Sequence, residues 1–345
     1  MGKFNKIKKI VLYILTLILV FIFFDFVVFD KMLNLGNEHY RTNLNGHPSK
    51  VDYPYVGFVP KKIAGAEPYS IYYSGNDIYK NNEDKIKIAF FGGSTGVLAD
   101  FHKKGSLNIP KYLEKDLKAK LKKDVVVINY SCLGARHRQH LHMLLEFMPK
   151  FKPDIVVFYG GNNETTQTYG FFDPRQNYPF NYYYKYEFPK WKKFLLENSA
   201  IISNLDEKFH LYHPAPIRIR IHHASPKWID ENVEMYMETM DLSNKITKTF
   251  KSDLLGECAF VGIFQPLNIE TEKSPESKEN TYVLIGKIRK EISHTDYLYD
   301  FYNKFDKFSP DTWYDICHVK DKANQYMAEE IADLLIDKYL KKYKK

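Results

Sequence analysis

Cysteine is scarce in this chain of 345 residues, with three copies at Cys132, Cys258 and Cys317. An odd number without paired spacing excludes the disulfide frameworks of small secreted domains and the cysteine ligand sets of structural zinc sites. A bridge between Cys132 and Cys317 stays open for an exported domain, although the sequence cannot supply the geometry that it requires. The cysteines therefore predict neither a disulfide framework nor a metal centre.

Internal repeats and long blocks of one charge sign are also absent. The formal net charge is +8, and the basic residues are spread along the chain. Spread positive charge argues only weakly for anionic partners and against a nucleic-acid-binding arm. His210, His213, His222 and His223 lack a carboxylate or cysteine at ligand spacing, so we expect surface histidines there. The sequence predicts no metal and no organic cofactor.

One long apolar run is present near the N-terminus. Four lysines precede residues Ile10 to Phe29, and Asp25 interrupts the run. The length suffices for one membrane crossing, and the basic flank predicts a cytoplasmic N-terminus with residues 31–345 exported. A cleaved signal peptide is the alternative, but no small-x-small cleavage site or lipobox cysteine follows the run. We therefore predict a single-pass protein of the inner (cytoplasmic) membrane, with its bulk on the periplasmic or extracytoplasmic side.

The remaining chain divides into an extended, proline- and tyrosine-containing approach segment at 31–84 and a domain at 85–345. Within the domain, apolar strands alternate with helical patterns. Strands are predicted at 86–91, 125–129, 155–159, 259–264 and near 297–301, and helices from Pro110, at 137–148, 232–254, 277–292 and 320–340. This alternation predicts an α/β fold: a three-layer sandwich with a parallel sheet of about five strands in the flavodoxin-like order 2-1-3-4-5.

An aromatic-rich insertion at about 165–230 interrupts the domain. It contains eleven tyrosine, phenylalanine and tryptophan residues between Tyr169 and Trp191. One interpretation is a small satellite core under a long loop, which we expect for most of these residues. The other is an apolar platform or lid beside a cleft, where a few aromatic rings could stack on sugar rings.

Small or polar residues follow the predicted strands at their carboxyl ends. Ser94 follows the first strand, Gly134 the second and Asn163 the third, while Asp315 and His318 lie between the fifth strand and the last helix. Ligands bind at the carboxyl ends of strands in open α/β sheets, so we expect these residues to share one edge. A serine there is a candidate nucleophile if a base, an orienting acid and oxyanion donors accompany it.

This ordered set resembles the SGNH (GDSL-like) hydrolase family, which carries its serine, glycine, asparagine and histidine in four separated blocks. The resemblance implies that Ser94 is the nucleophile, His318 the general base and Asp315 the acid that orients it. It also implies an oxyanion hole made by the backbone N–H groups of Ser94 and Gly134 and the side chain of Asn163. Such enzymes form an acyl-serine and need no metal or cofactor.

Two positions depart from the family pattern, within a resemblance that covers roughly residues 85–340 apart from the insertion. Gly93 stands where the first block usually has aspartate, and Glu164 stands where the third block commonly has aspartate. The Phe-Gly-Gly-Ser-Thr sequence looks like a branch with membrane-anchored members that act on exported glycans. Neither departure removes a catalytic group, so the resemblance still implies activity.

The Gly-Gly-Ser-Thr-Gly segment has two other interpretations when it is taken alone. It could cradle a phosphate, but no lysine follows it as in a P-loop. It also fits the Gly-x-Ser-x-Gly elbow of α/β-hydrolases. That elbow usually lies mid-domain, with acid and base on different loops, whereas Ser94 ends the first strand and Asp315 precedes His318 by three residues.

The resemblance implies a membrane-anchored serine esterase that removes acyl groups, most simply acetyl, from an exported glycan or another carbohydrate ester. Two alternatives stay open: an O-acyltransferase that moves acetyl to an exported polysaccharide, and an inactive scaffold of an export or wall-assembly complex. The expected partners are an acylated carbohydrate or small ester, the membrane, and glycan-export or wall-assembly proteins. Nucleic acid is not expected among them.

Overall fold

The computed structural model describes residues 2–32, 50–53, 57–60, 82, 84–97, 99–100, 103, 105–165, 191, 194–195, 198–209, 224–272 and 274–344. The chain divides into two compact units. One combines Met1–Lys50 with Asn181–Ile217, and the other combines Val51–Phe180 with Arg218–Lys345. The predicted limits at residues 30 and 84, and those of the insertion, stay predictions.

A five-stranded parallel sheet forms the centre of the second unit. Its strands are β1 (Ile86–Gly92), β2 (Val125–Asn129), β3 (Ile155–Gly160), β4 (Ala259–Phe264) and β5 (Leu298–Asp300). They are arranged in the order β2-β1-β3-β4-β5, with all four pairs parallel, which confirms the predicted topology. Every residue of β1 and β3 is buried, which explains why these strands show no polar alternation.

Seven helices longer than two turns occur in the described residues. They are α1 (Gly2–Phe23), α2 (Ile109–Leu121), α3 (His137–Phe151), α4 (Ala200–Phe209), α5 (Pro226–Lys248), α6 (Pro275–Ile292) and α7 (Asp321–Leu335). Single α-turns follow β1 at Ser94–Val97 and β3 at Asn162–Thr165. Shorter 3₁₀ segments lie at Ile269–Thr271, Tyr302–Phe305, Pro310–Thr312 and Lys341–Tyr343, and wider π-type turns at Phe24–Met32 and Ile336–Leu340. Two small strand pairs join Lys50–Tyr53 to Gly57–Pro60 and Lys251–Ser252 to Gly256–Glu257.

The position of α5 differs from the predicted range of 232–254. The helix begins six residues earlier because Ser225 caps it, its Oγ accepting the N–H of Trp228 at 3.1 Å, with proline at the first helical position. It ends at Lys248 with Thr249 as its C-cap, and Lys251–Ser252 then pairs with Gly256–Glu257 in a small antiparallel pair. Apolar periodicity alone did not reveal either boundary.

Helices cover both faces of the sheet, as the three-layer prediction requires. Consecutive strand residues point to opposite faces, so Phe91 and Phe158 belong to the core beneath α3, α5 and α6. Phe90 and Val157 belong to the core beneath α2 and α7. Burying both faces leaves the carboxyl edge of the sheet as the place where polar groups can gather.

In the first unit, α1 runs on into the π-type turns that end at Met32. The stretch Lys8–Phe29 has 22 residues and a mean hydropathy of 2.9, which is long and apolar enough to cross a membrane. This helix is compatible with the predicted anchor. The aromatic residues between Tyr169 and Phe188 and the histidines at 210, 213, 222 and 223 lie outside the described residues.

Candidate active site

Ser94 lies at the carboxyl end of β1, at the start of a single helical turn, and its side chain is half-buried. The chain leaves the strand through Gly92, where space is short. A Cβ at Gly92 would lie 3.0 Å from Oγ of Ser131 and 3.2 Å from the carbonyl oxygen of Tyr159. Glycine at this exit therefore lets the neighbouring strands approach closely while the hydroxyl of Ser94 faces the edge of the sheet.

Three predicted site residues form one continuous hydrogen-bonded chain. Oγ of Ser94 lies 2.8 Å from Nε2 of His318, and Nδ1 of His318 lies 2.6 Å from Oδ2 of Asp315. A carboxylate beside Nδ1 favours the tautomer that carries its proton there. Nε2 is then free of hydrogen and can accept the hydroxyl proton of Ser94, which is the arrangement that activates a serine.

Asp315 is held as a carboxylate by donors on its own loop. Its Oδ1 accepts the backbone N–H groups of Cys317 at 2.9 Å and of His318 at 2.8 Å. Partial burial opposes the charged form, but these bonds and the one from the imidazole hold the pKa of Asp315 well below its usual range. The spacing of three residues thus lets one turn hold the carboxylate of Asp315 against the imidazole of His318.

The loop that carries Asp315 and His318 is tied to the chain segment that follows Ser94. The backbone N–H of Tyr314 donates to the carbonyl of His318 at 2.8 Å, which closes the loop. The carboxylate of Asp100 accepts the Tyr314 hydroxyl at 2.6 Å and the N–H of Asp321, the first residue of α7, at 2.9 Å. This hydrogen bond raises the pKa of Tyr314 to about 12, so the tyrosine stays a donor.

The two other predicted oxyanion donors lie at the ends of β2 and β3. Gly134 has a φ of +74°, a left-handed conformation that favours glycine at this turn. Asn163 is buried, and its Nδ2 donates one hydrogen to the carbonyl of Ala135 at 2.7 Å. That bond fixes the amide plane of Asn163. Ser94, Asn163 and Ala135 line one small cavity of about 10 Å³.

The profile of the GDSL-like lipase/acylhydrolase family matches residues 70–331. The chain belongs to this family. It is therefore an SGNH-type hydrolase that acts on ester bonds, as the resemblance implied. Comparison with curated proteins gives no match.

Several solved structures are similar to this GDSL-like chain at low sequence identity. The lipase Lip_vut3 from a goat rumen metagenome is 11% identical, with a TM-score of 0.44. The alignment covers 72% of this chain and 97% of that chain. The esterase EstA from Pseudoalteromonas sp. is 14% identical, with a TM-score of 0.40 and coverages of 74% and 100%. A catalytic mutant of Axe2, an acetylxylan esterase from Geobacillus stearothermophilus, is 15% identical, with a TM-score of 0.38 and coverages of 72% and 92%.

The structure of this GDSL-like hydrolase gives Glu164 a role in positioning the site. The side chain is buried, whereas sequence analysis identified this residue only as a departure from the family pattern. Oε1 of Glu164 accepts the N–H of His137 at 2.7 Å, and Oε2 accepts the N–H of Gly161 at 3.1 Å. His137 is the first residue of α3, where a negative charge is stabilised by the helix dipole. Glu164 thus joins the turn that carries Asn163 to the helix that follows Gly134.

Two buried histidines lie beneath the serine, and sequence reasoning missed them. Nε2 of His140 lies 3.1 Å from the carbonyl oxygen of Gly92, and its Nδ1 lies 3.4 Å from Nδ1 of His137. A carbonyl can only accept, so His140 carries its proton on Nε2 and receives one from His137. Burial lowers the pKa of both to about 3, which keeps them neutral. Their i, i+3 spacing directly after Gly134 was the available signal.

All three cysteines are free and buried, so the Cys132–Cys317 bridge is not formed. The donor atoms of Asp315, Cys317 and His318 lie within 4.8 Å of one another, a set that could in principle hold a metal ion. Burial, with the neighbouring Asp315, raises the pKa of the Cys317 thiol well above its usual range, so it is not a thiolate. Nδ1 of His318 already bonds Asp315. This set therefore suits proton transfer better than metal binding.

Proposed function

We propose that this protein is a membrane-anchored serine esterase that removes acetyl groups from an exported glycan or another carbohydrate ester. The observation that carries the proposal is the Ser94–His318–Asp315 chain, with contacts of 2.8 and 2.6 Å. Both contacts are short enough for proton transfer in the resting enzyme. An inactive scaffold would have no need to keep three such groups aligned.

In the first half-reaction, Oγ of Ser94 attacks the ester carbonyl while Nε2 of His318 takes the hydroxyl proton. The carbonyl oxygen becomes an oxyanion, which the N–H groups of Ser94 and Gly134 and the amide of Asn163 stabilise. The tetrahedral intermediate then collapses, the ester C–O bond breaks, and His318 gives its proton to the leaving alcohol. Asp315 stabilises the imidazolium between these two proton transfers.

In the second half-reaction, water attacks the acyl-serine and His318 accepts one of its protons. Collapse of the second tetrahedral intermediate releases the carboxylic acid and returns the proton to Ser94. A sugar hydroxyl in place of water would give the O-acyltransferase reaction with the same residues.

The deciding experiment incubates the purified full chain with an aryl acetate and with acetylated glycans, in the presence and absence of an unacetylated glycan acceptor. Released acetate is measured, and the acceptor is examined by mass spectrometry. Release of acetate without acceptor labelling supports the esterase. Acetyl on the acceptor makes the protein a transferase. If a serine-directed phosphonate labels wild type but no ester is turned over, the proposed substrate class is wrong, and failure to label at all supports the scaffold.

We propose that the N-terminus lies in the cytoplasm, because Lys3, Lys6, Lys8 and Lys9 precede the apolar run from Ile10 to Phe29. The catalytic domain would then face the periplasmic or extracytoplasmic side, where exported glycans are found. A reporter enzyme that is active only outside the cytoplasm should be active when it is fused after Lys345. Activity of a cytoplasm-specific reporter at that position would reverse the topology.

A further inference from the structure

An acidic residue inside the apolar run is buried, although its neighbours are not. Asp25 is 2% exposed, whereas Phe24 and Val27 on either side of it are 47% and 38% exposed. A carboxylate at membrane depth is costly unless it is hydrogen-bonded. Its partners come from a segment far along the sequence, so the membrane span itself positions part of the insertion.

The partners of Asp25 are at the N-terminus of α4. The hydroxyl of Ser199 donates to Oδ2 of Asp25, and the N–H of Ile201 donates to Oδ1 at 2.9 Å. Oγ of Ser199 in turn accepts the N–H of Ile202 at 3.0 Å. These bonds satisfy backbone donors of the first turn, and the carboxylate meets the positive end of the helix dipole. Asp25 therefore fixes the start of α4 to the span.

The depth of this junction follows from the helix geometry. Asp25 lies one helical turn before Phe29, where the span ends. At about 1.5 Å per residue, the start of α4 lies within about 6 Å of the end of the apolar run. That distance corresponds to the boundary between acyl chains and headgroups, where amphipathic segments settle.

The segment at this depth exposes large apolar side chains. Trp191, Phe194 and Leu205 are 57%, 55% and 42% exposed, and the ring of Phe194 lies 5.6 Å from that of Phe26 on the span. The exposed apolar surface of the segment is thus continuous with the surface of the span. Tryptophan and other aromatic residues favour this interfacial depth because they combine an apolar body with a polar or polarisable group.

We propose that α4, together with the described residues Trp191 and Phe194 before it, forms an interfacial segment that lies at the lipid headgroup boundary and is fixed to the transmembrane helix by Asp25. This proposal rests on the membrane anchoring proposed above. The occupant of the exposed apolar surface is the lipid bilayer. The segment would then be a second membrane contact of this chain, and the two hydrogen bonds to Asp25 would hold it at a fixed depth.

The test uses the full chain in phosphatidylcholine–phosphatidylglycerol vesicles, with a fluorescent label on one introduced cysteine at a time. The natural cysteines are 5% exposed or less, and labelled wild type gives the background. Leu205→Cys reports on the segment and Ile14→Cys on the span. Val283→Cys on α6 is the matched control, because Val283 is 43% exposed and Leu205 is 42% exposed. Nitroxide lipids quench the fluorescence of labels that lie in the membrane, and iodide quenches the fluorescence of labels that are exposed to water.

We expect nitroxide lipids to quench the label at Leu205→Cys about threefold or more above that at Val283→Cys, with iodide showing the opposite order. Equal behaviour at these two positions overturns the proposal, provided that Ile14→Cys is quenched by lipid. Loss of lipid quenching at Ile14→Cys instead shows that the anchoring itself is wrong. Protection of Leu205→Cys from both quenchers would overturn the lipid occupant in favour of a second copy of the chain.

Asp25→Ala tests whether the hydrogen bonds of Asp25 hold the start of α4 against the span. It should lower lipid quenching at position 205 by about twofold or more and leave Ile14→Cys unchanged, because the start of α4 loses its acceptor. Thr16→Ala is the matched control, since the Thr16 hydroxyl bonds only the carbonyl of Leu12 among the described residues. Equal quenching at position 205 in Asp25→Ala and Thr16→Ala would show that Asp25 does not hold the segment.

Discussion

A Cβ placed on Gly93 would lie 2.6 Å from Nδ2 of Asn163. Real Cβ atoms do not approach a nitrogen so closely, so a side chain at position 93 must displace the amide. Asn163 is fixed from its other side by the carbonyl of Ala135 at 2.7 Å. The glycine that replaces the aspartate of the family's first block is thus matched to the position of this asparagine.

This contact predicts the effect of Gly93→Ala. The substitution should lower kcat by about 10–100-fold, because the proposed oxyanion donor moves away from the developing charge. Initial rates with an aryl acetate measure it, with circular dichroism as the folding check. Gly286→Ala is the control, since a Cβ there meets nothing within 4 Å. Full activity in folded Gly93→Ala would mean that Asn163 does not stabilise the oxyanion.

The contact between Ser94 and His318 predicts that their losses do not add. Ser94→Ala and His318→Ala should each lower kcat by on the order of 10³-fold or more, and the double variant should be hardly worse. A base without its nucleophile, or a nucleophile without its base, contributes nothing. The measurement is a double-mutant cycle on kcat. Additive losses, or wild-type turnover by folded Ser94→Ala, would refute the assignment of the nucleophile.

The contact between Asp315 and Nδ1 of His318 predicts that replacing the carboxylate changes which nitrogen of His318 carries the proton. Asp315→Asn retains the size of the side chain, but its amide can present an N–H to Nδ1 of His318 and so move the imidazole proton to Nε2. The kcat should fall by about 10²–10⁴-fold with a smaller change in KM, because the base then has no lone pair facing Ser94. The steady-state constants and the thermal midpoint are measured together. An unchanged kcat would show that Asp315 does not orient His318.

Glu164 predicts a coupled loss of stability and rate. Glu164→Gln replaces one acceptor oxygen by an amide that faces the N–H of His137 or Gly161, so a buried donor loses its partner. The free energy of unfolding should fall by about 1–3 kcal/mol, and kcat should fall as Asn163 loses its support. Urea unfolding and initial rates report the two effects. Glu234→Gln, at an exposed position on α5, is the control and should change neither.

His137 and His140 predict a pH dependence of stability. Their pKa is about 3 in the folded chain against an ordinary value of 6.5, so the unfolded chain binds more protons between these values. The stabilisation is fully present above pH 6.5 and is lost as the pH falls towards 3. From pH 7 to pH 5, each histidine should cost about 2 kcal/mol in the free energy of unfolding.

Urea unfolding of the full chain in detergent at pH 7 and pH 5 measures this loss. His137→Phe keeps an aromatic ring beside Phe158, with which His137 stacks at 5.6 Å, and removes one protonation site. It should therefore show a smaller drop between the two pH values than wild type. His294→Gln, at an exposed position, should keep the wild-type drop. The same drop in both variants would mean that the buried pair does not control acid stability.

The sequence by itself determined the elements that depend on local patterns. Short apolar runs located β1 to β4. The alternation of strands with helices predicted the sheet order, because right-handed crossovers restrict the arrangements. Ser94, Gly134, Asn163, Asp315 and His318 could be selected because each follows a strand and their order resembles a known family. Asp315 and His318 are three residues apart in one turn, so the contact between them followed from their spacing alone.

Only the tertiary structure decided which distant groups meet. Asp25 and Ser199 are separated by 174 residues, and Asp100 and Tyr314 by 214, and nothing in the local sequence links them. The bonds of Glu164 to His137 and of His140 to Gly92 depend on the register of β1 and β3 and on the position of α3 over the sheet. Such contacts arise from packing a whole layer at once, whereas sequence patterns report only the neighbours of each residue.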